Sequence, residues 1–85
     1  MTGYTLIWQP AAVAGLIRIR GVDPHAVKGI RSAIGALVHD LQPDGSTPLG
    51  AEGLRRLRIG DARILYEVDE GNQAVQILTV GLLSR

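Results

Sequence analysis

The chain has no cysteine, no phenylalanine, a single lysine and only three aromatic residues among 85. Without cysteine there is neither a disulfide framework nor a thiolate metal site. With so few aromatics, the interior must be built from Val, Leu, Ile and Ala. Apolar residues make up 46% of the chain, enough for a packed core and too many for a disordered one. No apolar run approaches the ~18 residues of a membrane span, and no basic stretch followed by an apolar one opens the chain. A soluble, cytoplasmic protein is expected. One domain, 1–85, is expected as well, near the lower size at which a single core suffices.

Charge of one sign is also missing in bulk: the net charge is +1, too little to draw the whole molecule to nucleic acid. Its distribution is uneven, however. Four of the nine basic residues lie within 55–63, in Leu54-Arg-Arg-Leu-Arg-Ile-Gly-Asp-Ala-Arg-Ile-Leu-Tyr-Glu67. Gly60-Asp61 between alternating runs is a two-residue hairpin signal, because such turns need a positive φ that glycine adopts without steric cost. Pairing about that turn sets Ile59 opposite Ala62, Arg58 opposite Arg63, Leu57 opposite Ile64 and Arg56 opposite Leu65. Opposed residues share a side of a sheet, as do alternate residues along a strand. Arg56, Arg58 and Arg63 then emerge on one face. Leu57, Ile59, Ala62, Ile64, Tyr66 and Val68 form a core face on the other. Two directly opposed arginines are destabilising unless an anion or an acidic group compensates. An anion site and an ordinary exposed strand, neutralised by Asp61 or Glu67, are both compatible with this spacing.

Around the hairpin the chain reads β-α-α-β-β-β. Residues 4–9 have strand composition, with Tyr4 and Trp8 facing a core. Pro10 suits the first turn of a helix running to about Arg20, with Val13, Leu16 and Ile17 as its apolar stripe and Gly21 as its stop. Asp23-Pro24 opens a second helix, in which Val27, Ile30, Ile34, Leu37, Val38 and Leu41 recur at helical steps. Gly29 and Gly35 weaken it and would be explained by close packing on a neighbour. Residues 42–53 are rich in breakers and read as loop. Strands follow at about 54–59, 62–68 and 73–80, with a turn at 69–72. The expected fold is α+β: a small, mostly antiparallel sheet with two helices packed on one face.

Other chemistry is sparse. His25 and His39 fall at opposite ends of the second helix and cannot share a site. No residue spacing suits a metal, and no glycine-rich phosphate loop precedes a helix, so no metal and no cofactor are expected. The serines have no recognisable base partner. Tyr66 falls on the core face, where its hydroxyl suits a buried hydrogen bond better than proton transfer. Guanidinium groups can orient a phosphate and stabilise developing negative charge, but they remain protonated and shuttle protons poorly. Glu67 is the only carboxylate expected on the arginine face.

The pattern resembles the RelE/ParE superfamily of bacterial toxin–antitoxin toxins, its RelE branch in particular. The resemblance runs from Tyr4-Thr-Leu-Ile-Trp-Gln-Pro-Ala-Ala through Ala33-Ile-Gly-Ala-Leu and Leu49-Gly to the Leu54–Val68 hairpin and Ile77-Leu-Thr-Val-Gly. It implies the toxin of a type II toxin–antitoxin system, acting as a ribosome-dependent mRNA endoribonuclease that uses the ribose 2′-hydroxyl as nucleophile and inhibits translation. The partners implied are a RelB-like antitoxin, the ribosome and mRNA, with operator DNA reached only through the antitoxin and no membrane.

Carried over residue by residue, the resemblance gives Arg56, Arg58 and Arg63 catalytic roles. Arg55, Arg58 and Arg85 supply RNA-binding charge. Leu54 and Leu65 on the arginine face, with Leu82 and Leu83 after it, are the expected antitoxin contacts. The family usually continues beyond the last strand's glycine with a His/Lys-Arg pair and a terminal tyrosine. Here Gly81 is followed by Leu82-Leu83-Ser84-Arg85, so slow cleavage is expected. That departure opens a second reading, a RelE-fold antitoxin-binding co-repressor that does not cleave; a third is a ParE-like inhibitor of DNA gyrase, against which the RelE-type hairpin argues.

Overall fold

The computed structural model describes residues 3–83. The elements are β1 (Thr5–Trp8), α1 (Pro10–Val22), α2 (Pro24–Ala36), β2 (Ser46–Pro48), β3 (Leu54–Ile59), β4 (Ala62–Asp69) and β5 (Ala74–Leu82). The five strands form one sheet in the order β1-β5-β4-β3-β2. β1 and β5 are parallel, and every other neighbouring pair is antiparallel. Both helices cover one face of this sheet, α1 over β5 and α2 beside α1 and β3. This is the expected α+β architecture, with β2 as an unexpected fifth strand.

Local chemistry accounts for most boundaries. Pro10 occupies the first turn of α1, where a missing N–H costs nothing. The helix runs through Gly21 and ends only at Asp23, which leaves helical geometry at φ −147°, ψ 83°. Pro24 is the cause, because its ring disfavours the α conformation for the residue before it. Asp23 takes the N-cap position of α2, but its side chain makes no capping hydrogen bond.

α2 is shorter than the apolar period suggested. It stops at Ala36, whose carbonyl accepts from the N–H of both His39 (3.0 Å) and Asp40 (3.1 Å) in a tightening turn. Leu37 is still fully buried, so a turn continues the apolar stripe that a longer helix would have carried. β2 was hidden inside the breaker-rich segment. Three residues ending in proline are too few for an alternating pattern, and β3 defines the strand by pairing Ser46 with Leu57 and Thr47 with Arg56.

The core joins Ile30, Ile34 and Leu37 of the helical layer to Ile64, Tyr66, Val75 and Ile77 of the sheet. The Tyr66 hydroxyl donates to the Leu41 carbonyl at 2.8 Å, the buried hydrogen bond expected of it. Trp8 of β1 and Tyr4 just before the strand pack against the same core.

The buried face of α1 differs from the expected stripe. Ala12, Gly15 and Ile19 are buried, whereas Val13 is 42% and Ile17 61% exposed. The helix is apolar nearly all round, so hydropathy alone could not orient it. Close approach decides instead: a Cβ on Gly15 would lie 2.0 Å from the Val80 carbonyl oxygen of β5. Gly29 and Gly35 have no such neighbour, and the close packing expected of them is absent.

Candidate anion-binding face of the sheet

The β3–β4 hairpin has the register that its turn chemistry dictates. Gly60 adopts φ +57°, and Ile59 pairs with Ala62, Arg58 with Arg63, Leu57 with Ile64 and Arg56 with Leu65. Leu57, Ala62, Ile64 and Tyr66 are buried against the helices. Leu54, Arg56, Arg58, Arg63 and Leu65 therefore share the opposite face, which no helix covers.

Arg58 and Arg63 are directly opposed and both exposed. Arg56 is half-buried, and its Nε atom is shielded from solvent without a hydrogen-bond partner. Among the described residues no carboxylate forms an ion pair with any of the three. Arg56 and Arg63 border a shallow cleft of about 260 Å³ whose other walls are Leu65, Thr79, Val80 and Gly81. Fixed cations at the rim and apolar carbon between them suit an oxyanion attached to a larger, partly apolar body.

The remaining expected site residues divide. Arg55 is not brought to this face. It pairs with Tyr66 and turns toward the helical side, donating from Nη2 to the Ser46 Oγ at 3.0 Å. Leu54 and Leu65 lie on the arginine face and are partly exposed. Leu82 pairs with Ala62 and packs against the core. The Leu83 N–H donates to the Asp61 carbonyl at 2.7 Å, tying the segment after β5 to the hairpin turn. Leu82 and Leu83 together line a groove shared with His25, Ala26 and Gly29 of α2, away from the arginine cleft. Arg85 lies outside the described residues.

Glu67 is exposed on the arginine face opposite Leu54 and Gln76. It stands four residues along the strand from Arg63, a backbone separation of roughly 13 Å at strand rise. It borders a different, acidic cleft with Glu52, Asp69 and Glu70. It is therefore badly placed to take a proton from a group held at Arg63. The arginine cleft can bind and polarise an anion; among the described residues that line it there is no general base. His25 and His39 are exposed and remote from it, and no group of side chains among the described residues could hold a metal.

Sequence reasoning missed Thr79 and Gly81. Regular alternation from Val75 and Ile77 would turn Thr79 into the core, yet it is exposed beside the arginines. The available signal was the three-residue step between Ile77 and Val80, a break in period two that marks a bulge.

The chain resembles the solved RelBE2 toxin–antitoxin complex of Mycobacterium tuberculosis at 26% identity, covering 95% of this chain and 99% of that one with a TM-score of 0.77. It also resembles the archaeal RelE–RelB complex of Pyrococcus horikoshii, at 20% identity over 99% of both chains and a TM-score of 0.81. A third similar structure is the chromosomal ParDE system of Pseudomonas aeruginosa, at 21% identity, 95% and 97% coverage and a TM-score of 0.76. No curated protein sequence matches the chain. The family model for the ParE toxin of type II toxin–antitoxin systems, parDE, matches residues 6–85. The chain belongs to that toxin family, within the RelE/ParE superfamily.

Proposed function

We propose that this toxin inhibits translation by cleaving messenger RNA on the ribosome, and that a cognate antitoxin neutralises it by covering the arginine face. The observation that carries the reading is the trio on one uncovered sheet face, Arg58 and Arg63 exposed and Arg56 half-buried, with no carboxylate partner among the described residues. Like charges at directly opposed positions are destabilising, which a bound polyanion would offset. A phosphodiester held at Arg56 and Arg63 has its non-bridging oxygens neutralised. Attack by the adjacent 2′-hydroxyl then forms a 2′,3′-cyclic phosphate and releases a 5′-hydroxyl. The guanidinium charges stabilise the extra negative charge of the pentacovalent transition state. Because the described residues of the cleft include no base, solvent or a group of the ribosome must take the proton lost by the nucleophile and supply the one gained by the leaving 5′-oxygen.

Leu54 and Leu65 beside these arginines suit an acidic, amphipathic segment of an antitoxin, which would occlude the cleft while neutralising it. The pair would reach operator DNA through the antitoxin and repress its own operon. Arg55 would contribute to RNA binding only outside the cleft, and Leu82 and Leu83 to antitoxin binding only at the α2 groove.

A second reading, a ParE-like inhibitor of DNA gyrase, is favoured by one observation: the matching family model is that of ParE toxins. Expression without antitoxin separates the two. The nuclease reading predicts growth arrest with codon-phased 5′ ends on translated messages and unchanged gyrase supercoiling by the purified components. Inhibited supercoiling without such cuts would establish the gyrase reading. Neither effect, in a toxin that still strengthens operator binding by its antitoxin, would leave a co-repressor.

A further inference from the structure

On β5 the core residues Ile77 and Val80 are three positions apart, where a regular strand buries every second residue. The register supplies the reason. Tyr66 pairs with Ile77, but its neighbour Leu65 pairs with Thr79, so Leu78 is the extra residue of a β-bulge. Without the bulge, Leu65 would face Leu78, Ile64 would face Thr79 and Arg63 would face Val80. The hydroxyl would then be turned toward the core and a valine would stand among the arginines. With it, an exposed threonine lies opposite Leu65 and a glycine lies opposite Arg63. The space beside Gly81 is open, with no atom within 4 Å of where a Cβ would sit.

The composition of the cleft gives this placement chemical meaning. Arg56 and Arg63 are donors only, and Leu65, Val80 and Gly81 have no polar side-chain atom. Among the described residues that line the cleft, Thr79 alone has a side chain that can accept a hydrogen bond, and its hydroxyl has no partner among the described residues. We infer that Thr79 is the ribose-recognising residue of this cleft, its hydroxyl bonding the 2′-hydroxyl next to a phosphate held by Arg56 and Arg63. A 2′-hydroxyl is both donor and acceptor and is what distinguishes RNA from DNA at a given site. Arginines bind the phosphate of either; only an acceptor can receive the 2′-hydroxyl proton. Thr79 is a positioning residue here, and the bulge at Leu78 is the backbone device that delivers it.

The assignment rests on the RNA reading, so the test is built to separate the two. Binding of a single-stranded oligoribonucleotide and its 2′-deoxy counterpart of the same sequence is measured by fluorescence anisotropy at one fixed salt concentration. The unaltered chain should prefer the ribo form. Thr79→Val keeps shape and branching and should lower affinity for the ribo form about three- to tenfold, the size of one neutral hydrogen bond, with the deoxy form unchanged. Thr79→Ser should retain the preference, which a merely structural role for the residue would not require. Arg63→Ala should weaken both forms. An undiminished ribo preference in Thr79→Val overturns the assignment while leaving RNA binding intact. Failure of the unaltered chain to bind either form, with Arg63→Ala no different, overturns the RNA reading and the assignment with it.

Discussion

At the scale of single residues, burial and hydrogen bonding rank what each side chain is worth. Ile34 is wholly buried where α2 meets the core. Truncating it to alanine removes three carbons from a packed interior and should cost about 2–5 kcal/mol, measured by urea denaturation. That is a large share of the roughly 5–15 kcal/mol that holds a typical domain together. Polar surface contacts matter less but have a distinct signature. In the β4–β5 turn, Asp69 accepts from the Asn72 side-chain amide at 2.9 Å and from its backbone N–H at 3.2 Å. The side-chain bond first, then the backbone bonds, hold the Asp69 carboxyl below the usual aspartate range. A depressed folded-state pKa means that the turn's stabilisation is present above the unfolded value near 3.9 and is lost as pH falls through the lower folded value. Asn72→Ala should return the Asp69 midpoint toward the unfolded value in an NMR pH titration.

At the scale of elements, α1 is held on the sheet by the absence of a side chain. The Gly15 position meets the Val80 carbonyl oxygen too closely for a Cβ. Gly15→Ala gains up to about 1 kcal/mol of helix propensity but incurs overpacking of about 1–3 kcal/mol or more against rigid backbone. The net outcome should be a loss of thermal stability, and Gly15→Val should lose more. Sequence could not point to Gly15, because a helix with Val13 and Ile17 on one side and Ala12 and Ile19 on the other offers no polar face to exclude. The β3–β4 hairpin was fully legible for the opposite reason. Gly60-Asp61 fixes the register, and the alternation of Leu57, Ile59, Ala62 and Ile64 with Arg58 and Arg63 next to the turn leaves one assignment of faces. β2 and the Leu78 bulge lie between these cases, since both exist through pairing with a distant strand. Leu82, read from sequence as tail beyond a strand ending near 80, instead extends β5 by pairing with Ala62 and packs partly against the core.

At the scale of the whole molecule, the chain divides its surface by layer. Two helices cover one face of the sheet, and the other is left with three arginines and two leucines exposed in part. Among the described residues no helix is long and apolar enough to cross a membrane. On the proposed function, a sheet face kept uncovered and like-charged is a stability cost retained for binding. It follows that stability and toxicity should respond in opposite directions to one substitution. Arg63→Ala removes the charge opposite Arg58 and one wall of the cleft while leaving the core untouched. The decisive measurement pairs its thermal melting temperature with growth of cells expressing the variant without antitoxin. The account predicts a melting temperature equal to or above that of the unaltered toxin, together with normal growth. Growth arrest undiminished in a folded Arg63→Ala protein would contradict it.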